Sequence, residues 1–349
     1  MLLPEFCEEF FYISSNSNLF EPPFKIYLEK VYGYNIFESQ KWLNRLQRLR
    51  GLNRKYTIEQ LKNLQELYLN NNELTKLPIL TLLPNLKYLW LYSNQLTKIP
   101  MLPSNLKYLD LNNNQLTSIP NLDLPNLQQL NINCNQLTSI SALKFPDLKS
   151  LNLSHNQLTE LSTLKTPNLE NLYLSENQLT KLHNLNLPNL EHLYISYNKI
   201  KSISNLDLPK LEQLYFSNNQ LTELPTLKFP NLEILILNNN QLSELPDLKL
   251  KFLPNLRQLD LSNNQLIKIP ILKFPYLQIL DLYSNLLTDI PKLTLLPKLQ
   301  ELYINDNQLK SIPILKLPNL RRLDVCHNQL SLREKDRLKN LYKKCKISV

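Results

Sequence analysis

The stretch Leu169–Asn189, LENLYLSENQLTKLHNLNLPN, sets the pattern for almost everything after residue 63. Its first eleven residues follow L-x-x-L-x-L-x-x-N-x-L, with Leu169, Leu172, Leu174, Asn177 and Leu179 at the fixed places. The asparagine returns at Asn72, Asn94, Asn114, Asn135, Asn156, Asn177, Asn198, Asn219, Asn240, Asn264, Asn285, Asn307 and Asn328. Of the twelve gaps between these thirteen copies, eight are 21 residues, so one unit recurs in register. A period in this range marks a stacked repeat architecture.

Leu172 and Leu174 stand two residues apart and point to the same side of a short strand, while the residues beside them point to the other. A short strand with one apolar face cannot bury that face alone, so copies stack and each covers its neighbour. Burying one Leu is worth roughly 1.5–3 kcal/mol, and several per turn give a long continuous core. The asparagine falls where the chain leaves the strand. A buried amide there can bond backbone groups that a bare loop would leave unsatisfied, so all thirteen copies read as structural. The return half of each unit reads about T-x-I-P-x-L-x-L-P-N-L and holds 20 of the 23 prolines, with none in a strand. Proline lacks a donor and blocks helix interiors, so this outer side is expected to be extended or 3₁₀ rather than helical.

With this consensus over most of its length, the chain resembles the short-repeat leucine-rich repeat proteins. The resemblance implies an α/β repeat solenoid, a curved right-handed superhelix with a concave parallel β-sheet and a non-helical convex side. Helical caps are expected at both ends. The family is a scaffold, so the likeness specifies fold better than function. Relatives that regulate phosphatases or act as bacterial effectors imply recognition of a protein.

Three segments follow. Residues 1–51 are read as a helical cap, with helices near 5–12, 24–32 and 36–50 and Gly51 as the stop after the last. Residues 52–330 form the solenoid, beginning with a degenerate repeat, and residues 331–349 a C-terminal capping helix. In that helix Ser331 and Glu334 make a capping box, and Leu338, Leu341, Tyr342 and Cys345 an apolar stripe. Leu3-Pro4-Glu5 followed by helical residues and Trp42 also resembles an F-box, which would make the chain a substrate adaptor of a ubiquitin ligase. The leucine and isoleucine pattern of that module is poorly kept, and the plain cap is the preferred reading. Two further departures stand out. Ser141, Ser162, His183 and Ser204 replace the outer proline in four successive turns, and three extra residues fall within Lys249–Leu253.

Composition excludes several classes. Only Gly33 and Gly51 occur, too few for a phosphate-cradling or dinucleotide loop, and no cofactor is expected. Cys7, Cys134, Cys326 and Cys345 lack the clustering of disulfide caps. The N-terminus has no basic start, and no apolar run reaches membrane-spanning length. These features point to an intracellular, cytoplasmic protein of the producing or a host cell, away from membranes. The formal charge of +9 divides as +2 over residues 1–63, +2 over 64–330 and +5 over 331–349. The repeats are therefore near neutral and the C-terminal segment holds most of the excess, which speaks against a nucleic-acid surface on the repeats.

The candidate site comes from the variable strand positions. Between the two strand leucines the column reads Tyr68, Trp90, Asp110, Asn131, Asn152, Tyr173, Tyr194, Tyr215, Ile236, Asp260, Asp281, Tyr303 and Asp324. Two residues earlier it includes Glu66, Tyr88, Tyr108, Asn171, His192, Gln213, Ile234 and Arg322. Three patches emerge: Tyr68, Tyr88, Trp90, Tyr92 and Tyr108; then Tyr173, His192, Tyr194 and Tyr215, with Tyr197, running into Ile234 and Ile236; then Asp260, Asp281 and Asp324. Exposed tyrosine and tryptophan at this density suit a protein interface, although neighbouring rings also stack for stability. The expected function is non-catalytic binding of a protein in the concavity, anchored on the second patch. For catalysis the best constellation is Cys134, His155 and Glu176, just before the ladder asparagine in successive turns. It lacks an oxyanion hole and reads as coincidence. His155, His183, His192 and His327 are too scattered to bind a metal.

Overall fold

The computed structural model of the protein describes residues 63–77, 80–140, 143–161, 164–182, 185–203, 206–225, 227–245, 253–343 and 345–349. The N-terminal cap, the F-box resemblance, the four proline replacements and all of the Lys249–Leu253 insertion but Leu253 lie outside these residues. The chain forms two compact units, residues 1–135 and 136–349. Among the described residues the first contains strands β1 (Glu66–Tyr68), β2 (Tyr88–Trp90), β3 (Tyr108–Asp110) and β4 (Gln129–Asn131). These pair in parallel and in order, Leu67 opposite Leu89, Leu89 opposite Leu109 and Leu109 opposite Leu130.

The second unit continues with β5 (Ser150–Asn152), β6 (Asn171–Tyr173), β7 (His192–Tyr194), β8 (Gln213–Tyr215) and β9 (Ile234–Ile236). Then come β10 (Gln258–Asp260), β11 (Ile279–Asp281), β12 (Glu301–Tyr303), β13 (Arg322–Asp324) and β14 (Lys346–Ser348). These too are parallel and in chain order. Each unit is thus a parallel β-solenoid. In β6 the central Leu172 is buried, and so are Leu169 and Leu174 on either side. Asn171 and Tyr173 stay partly open on the other face. That alternation is the strand period expressed as one dry and one wet face.

The return halves explain the prolines. In Leu187-Pro188-Asn189-Leu190 the Leu190 N–H donates to the Leu187 carbonyl at 3.1 Å, closing a β-turn with proline at its second position. Proline is pre-set for that place, where its missing donor is not called on. The same bond recurs at Leu127, Leu148, Leu169, Leu211, Leu232, Leu277, Leu299 and Leu320. Among the described residues these halves contain one short helix, a 3₁₀ turn at Leu80–Leu82. A second row of amides pins the turns together. Asn105, Asn168, Asn189, Asn231, Asn255 and Asn319 each donate to a proline carbonyl one turn back, at 2.7–3.1 Å.

Residues 331–349 depart from the expected single helix. Helix α1 covers Leu332–Leu341, and the chain then turns to form β14. Ile347 lies opposite Leu323 of β13. Only half of the capping box forms: Ser331 Oγ accepts the Glu334 N–H at 3.2 Å. The Glu334 carboxylate instead accepts the N–H of Ile312 at 3.0 Å and holds Arg337 Nε at 2.7 Å. Arg337 in turn donates to the Ile312 carbonyl. Tyr342 Oη accepts the Leu315 N–H at 3.1 Å. These side chains satisfy backbone groups of the last return half, which has no following turn to pair with. Of the proposed stripe Leu338 is buried, whereas Leu341 is 44% exposed, because α1 rests on the stack along one narrow edge.

One core position is out of character. Thr166 takes the place that Phe145, Leu187, Leu208 and Phe229 fill in neighbouring turns, is 1% exposed, and its Oγ1 finds no partner among the described residues. An orphaned buried hydroxyl is costly. Thr166→Val, nearly isosteric, is therefore expected to stabilise the fold by about 1 kcal/mol in urea unfolding. An unchanged midpoint would show that the hydroxyl is satisfied.

Candidate functional site

The ladder asparagines close each turn. Asn198 is typical: Oδ1 accepts the Leu179 N–H at 3.0 Å, and Nδ2 reaches the carbonyls of Leu174 at 3.0 Å, Ile195 at 3.1 Å and Ser196 at 3.3 Å. From Asn94 to Asn307 every ladder residue is buried, while Asn72 and Asn328 at the two ends are half-buried. The residue just before each ladder asparagine is left-handed, with φ between 50° and 57° in all thirteen copies. None is glycine. Five are Asn, the residue that tolerates this region best after glycine.

Cys134, His155 and Glu176 occupy this corner. His155 Nδ1 lies 2.9 Å from Glu176 Oε2, with both side chains about half exposed. Cys134 belongs to the first unit and the other two to the second. The pair repeats farther along as His327 and Asp306, 3.3 Å apart. It marks an exposed corner column rather than a cleft.

The wet face carries the three patches. In the first unit Tyr68 stacks on Trp90 with ring centroids 4.1 Å apart and planes 5° from parallel. Trp90 also meets Tyr88 at 6.1 Å and Tyr108 at 5.3 Å. Tyr92 follows β2, and its carbonyl accepts the Asn71 N–H. Burial, then the hydrogen bond to Glu66, pushes the Tyr68 hydroxyl up to about 12.

In the second unit Tyr173, Tyr194 and Tyr215 form one stack. Both centroid separations are 4.7 Å, with planes 7° and 9° from parallel. Strand register explains this: Tyr173 lies opposite Tyr194, and Tyr194 opposite Tyr215. Burial, then its two tyrosine neighbours, pushes the Tyr194 hydroxyl up to about 12, so it remains a proton donor at neutral pH. It donates to Gln213 Oε1 at 3.3 Å. His192 Nδ1 lies 2.6 Å from Asn171 Oδ1 in the adjoining column. Ile234 is half-exposed, Ile236 is buried and Tyr197 is 57% exposed at the corner.

The third patch has a local duty that spacing does not reveal. Oδ1 of Asp260, Asp281 and Asp324 accepts the N–H of the residue two further on, at 2.9, 2.9 and 3.2 Å. Asp110, Asn131 and Asn152, in the same column, do the same. The short Asx side chain folds back on its own backbone, so each carboxylate is half committed. Asp260 and Asp281 are register neighbours, whereas Tyr303 separates Asp281 from Asp324. Burial raises Asp260, and it raises Asp281 to about 6 with the charges of Asp260 and Asp324 adding. Arg322 places its guanidinium carbon 4.9 Å from the Tyr303 ring centre.

A two-copy leucine-rich repeat model matches residues 62–104, 104–145, 167–208, 209–250, 254–295 and 297–340, and a second leucine-rich repeat model matches 125–179. The chain belongs to the leucine-rich repeat family.

Among solved structures this leucine-rich repeat chain is similar to one from Leptospira interrogans, at 28% identity and a TM-score of 0.53, covering 84% of this chain and 97% of that one. It is similar also to YopM of Yersinia pestis, described as a leucine-rich effector protein, at 30% identity and a TM-score of 0.54, covering 82% and 89%. InlJ of Listeria monocytogenes, at 24% identity, a TM-score of 0.55 and coverage of 77% and 66%, shares the fold. No curated protein matches. Nothing in these comparisons supports the F-box adaptor reading. Among the described residues no helix is long and apolar enough to cross a membrane.

Proposed function

We propose that this leucine-rich repeat chain is a non-catalytic scaffold that binds a protein on the wet face of its strands, the concave face of a curved stack. The observation that carries the reading is the Tyr173–Tyr194–Tyr215 stack. Three parallel rings, with the half-exposed Ile234 in the adjoining column, present apolar surface and phenolic donors on a rigid sheet. Rigid aromatic side chains lose little entropy on binding and are typical anchors of protein interfaces. The stacking also contributes to stability, by about 0.5–1.5 kcal/mol per pair, so the rings are held in place before a partner arrives.

A photoreactive residue at position 194 is expected to cross-link a recurring protein partner in cells. Tyr194→Ala with Tyr215→Ala is expected to abolish capture of that partner, with circular dichroism unchanged and only a modest shift in the urea midpoint. Capture that survives in the double variant, with the fold intact, would place the anchor elsewhere.

A further inference from the structure

The residue just upstream of each strand forms its own column, and in the second unit it reads Lys149, Glu170, Glu191, Glu212, Glu233 and Arg257 over six successive turns. The outer members pair. Lys149 Nζ is 3.0 Å from Glu170 Oε1, and Arg257 Nη2 is 3.2 Å from Glu233 Oε1. Glu191 and Glu212, between them, form no ion pair among the described residues, although both reach solvent. Successive strands lie about 4.8 Å apart, so four carboxylates follow one another with cations only at the ends.

These glutamates stand at the upstream edge of the strands that carry the tyrosine stack. Glu170 precedes Tyr173 by three residues, Glu191 precedes Tyr194 and Glu212 precedes Tyr215. At about 3.3 Å per residue the backbones of the two columns lie roughly 10 Å apart, the glutamates on the rim of the sheet and the tyrosines on its wet face. The wet-face positions of β6 to β9 are Asn171, Tyr173, His192, Tyr194, Gln213, Tyr215, Ile234 and Ile236, with no lysine or arginine. The surface is therefore an aromatic strip edged by unpaired negative charge. Elsewhere the molecule shows what such a tyrosine accepts. At Tyr303 the Arg322 guanidinium lies against the ring, and the hydroxyl bonds the Glu301 carboxylate. There the cation comes from the next turn, in the column that holds Glu301, whereas the matching position beyond Tyr215 is Ile234, opposite Gln213.

We infer that the occupant of this face is a basic, extended protein segment, its arginine or lysine side chains pairing with Glu191 and Glu212 and its apolar side chains lying along the tyrosine strip and Ile234. The inference rests on the protein-binding reading above and gives that partner a chemistry. Charge complementarity carries it: the carboxylate row repels nucleic-acid phosphates and acidic segments. A guanidinium gains a charge-assisted ion pair at this rim.

The probe is a fluorescent peptide alternating arginine with leucine, titrated against the full chain, with a glutamate–leucine peptide as its counterpart. The arginine peptide is expected to bind although the chain carries a formal charge of +9, and the glutamate peptide is not. Glu191→Gln with Glu212→Gln is expected to weaken binding at least tenfold. The exposed pair Glu160→Gln with Glu223→Gln, an identical change of charge on the return halves, is expected to leave it within twofold. Absent binding, equal weakening by the two double variants, or no effect of Glu191→Gln with Glu212→Gln would each overturn the inference. If a partner cross-linked at position 194 loses capture in the tyrosine variant but not in the glutamate one, the basic-segment inference fails alone. If neither variant matters, both readings fail.

Discussion

Asn198→Asp is expected to destabilise the fold by about 4 kcal/mol at pH 7, and the deficit is expected to shrink as the solution is acidified. The substitution changes little in shape and much in donor pattern. Asn198 Nδ2 faces three carbonyls at 3.0–3.3 Å, while Oδ1 serves the Leu179 N–H. A carboxylate keeps the second role and turns the first into repulsion among buried oxygens, so it takes up a proton instead. Holding an aspartic acid protonated at pH 7, about three units above its ordinary value near 3.9, sets the size of the effect. Its folded pKa is raised, so the penalty grows as pH rises from about 4 and is nearly absent below.

Asn198→Ala provides the comparison. It leaves the Leu179 N–H without its acceptor, but the Leu174 and Ile195 carbonyls each keep a second ladder asparagine, Asn177 and Asn219. Its cost is therefore about 2–3 kcal/mol and independent of pH. Urea unfolding of both variants from pH 4 to 7 separates them. Parallel profiles would mean that the amide donors contribute nothing specific.

The second large effect has the opposite sign. Asp281 is raised to about 6, first by burial and then by the charges of Asp260 and Asp324. A carboxyl with a raised folded pKa loses the fold stability as pH climbs from about 4 to about 6, and the whole penalty is present at pH 7. Asp281→Asn removes the charge and keeps the local bond. Asn131 and Asn152 already accept the N–H two residues on from the same column. After discounting for partial exposure, the variant is expected to gain about 1–2 kcal/mol at pH 7. It should match the parent near pH 4 and lack much of the parent's decline between. A parent and variant of equal stability at pH 7 would show that solvent reaches this carboxylate freely.

The fold was legible because its causes are local and repeated. Two leucines two apart declare one dry strand face, a proline in every return half forbids a long outer helix, and an asparagine every 20 to 24 residues counts the turns. The tyrosine row was legible for the same reason, since a regular period turns a column of sequence into neighbours in space. Less so was what each side chain bonds. Glu334 looks like one half of a capping box, but the end of the stack leaves the Ile312 N–H without a next turn, and the carboxylate goes there. Asp260, Asp281 and Asp324 look like an acidic patch, yet each spends one oxygen on its own backbone.

Nor does spacing show that the residue before every ladder asparagine is left-handed, which is what Cys134, His155 and Glu176 have in common. Stacking order and strand count depend on periodicity, which a linear chain states openly. Hydrogen-bond assignment depends on which donors are left over once the backbone has closed, and that inventory exists only after the turns have met.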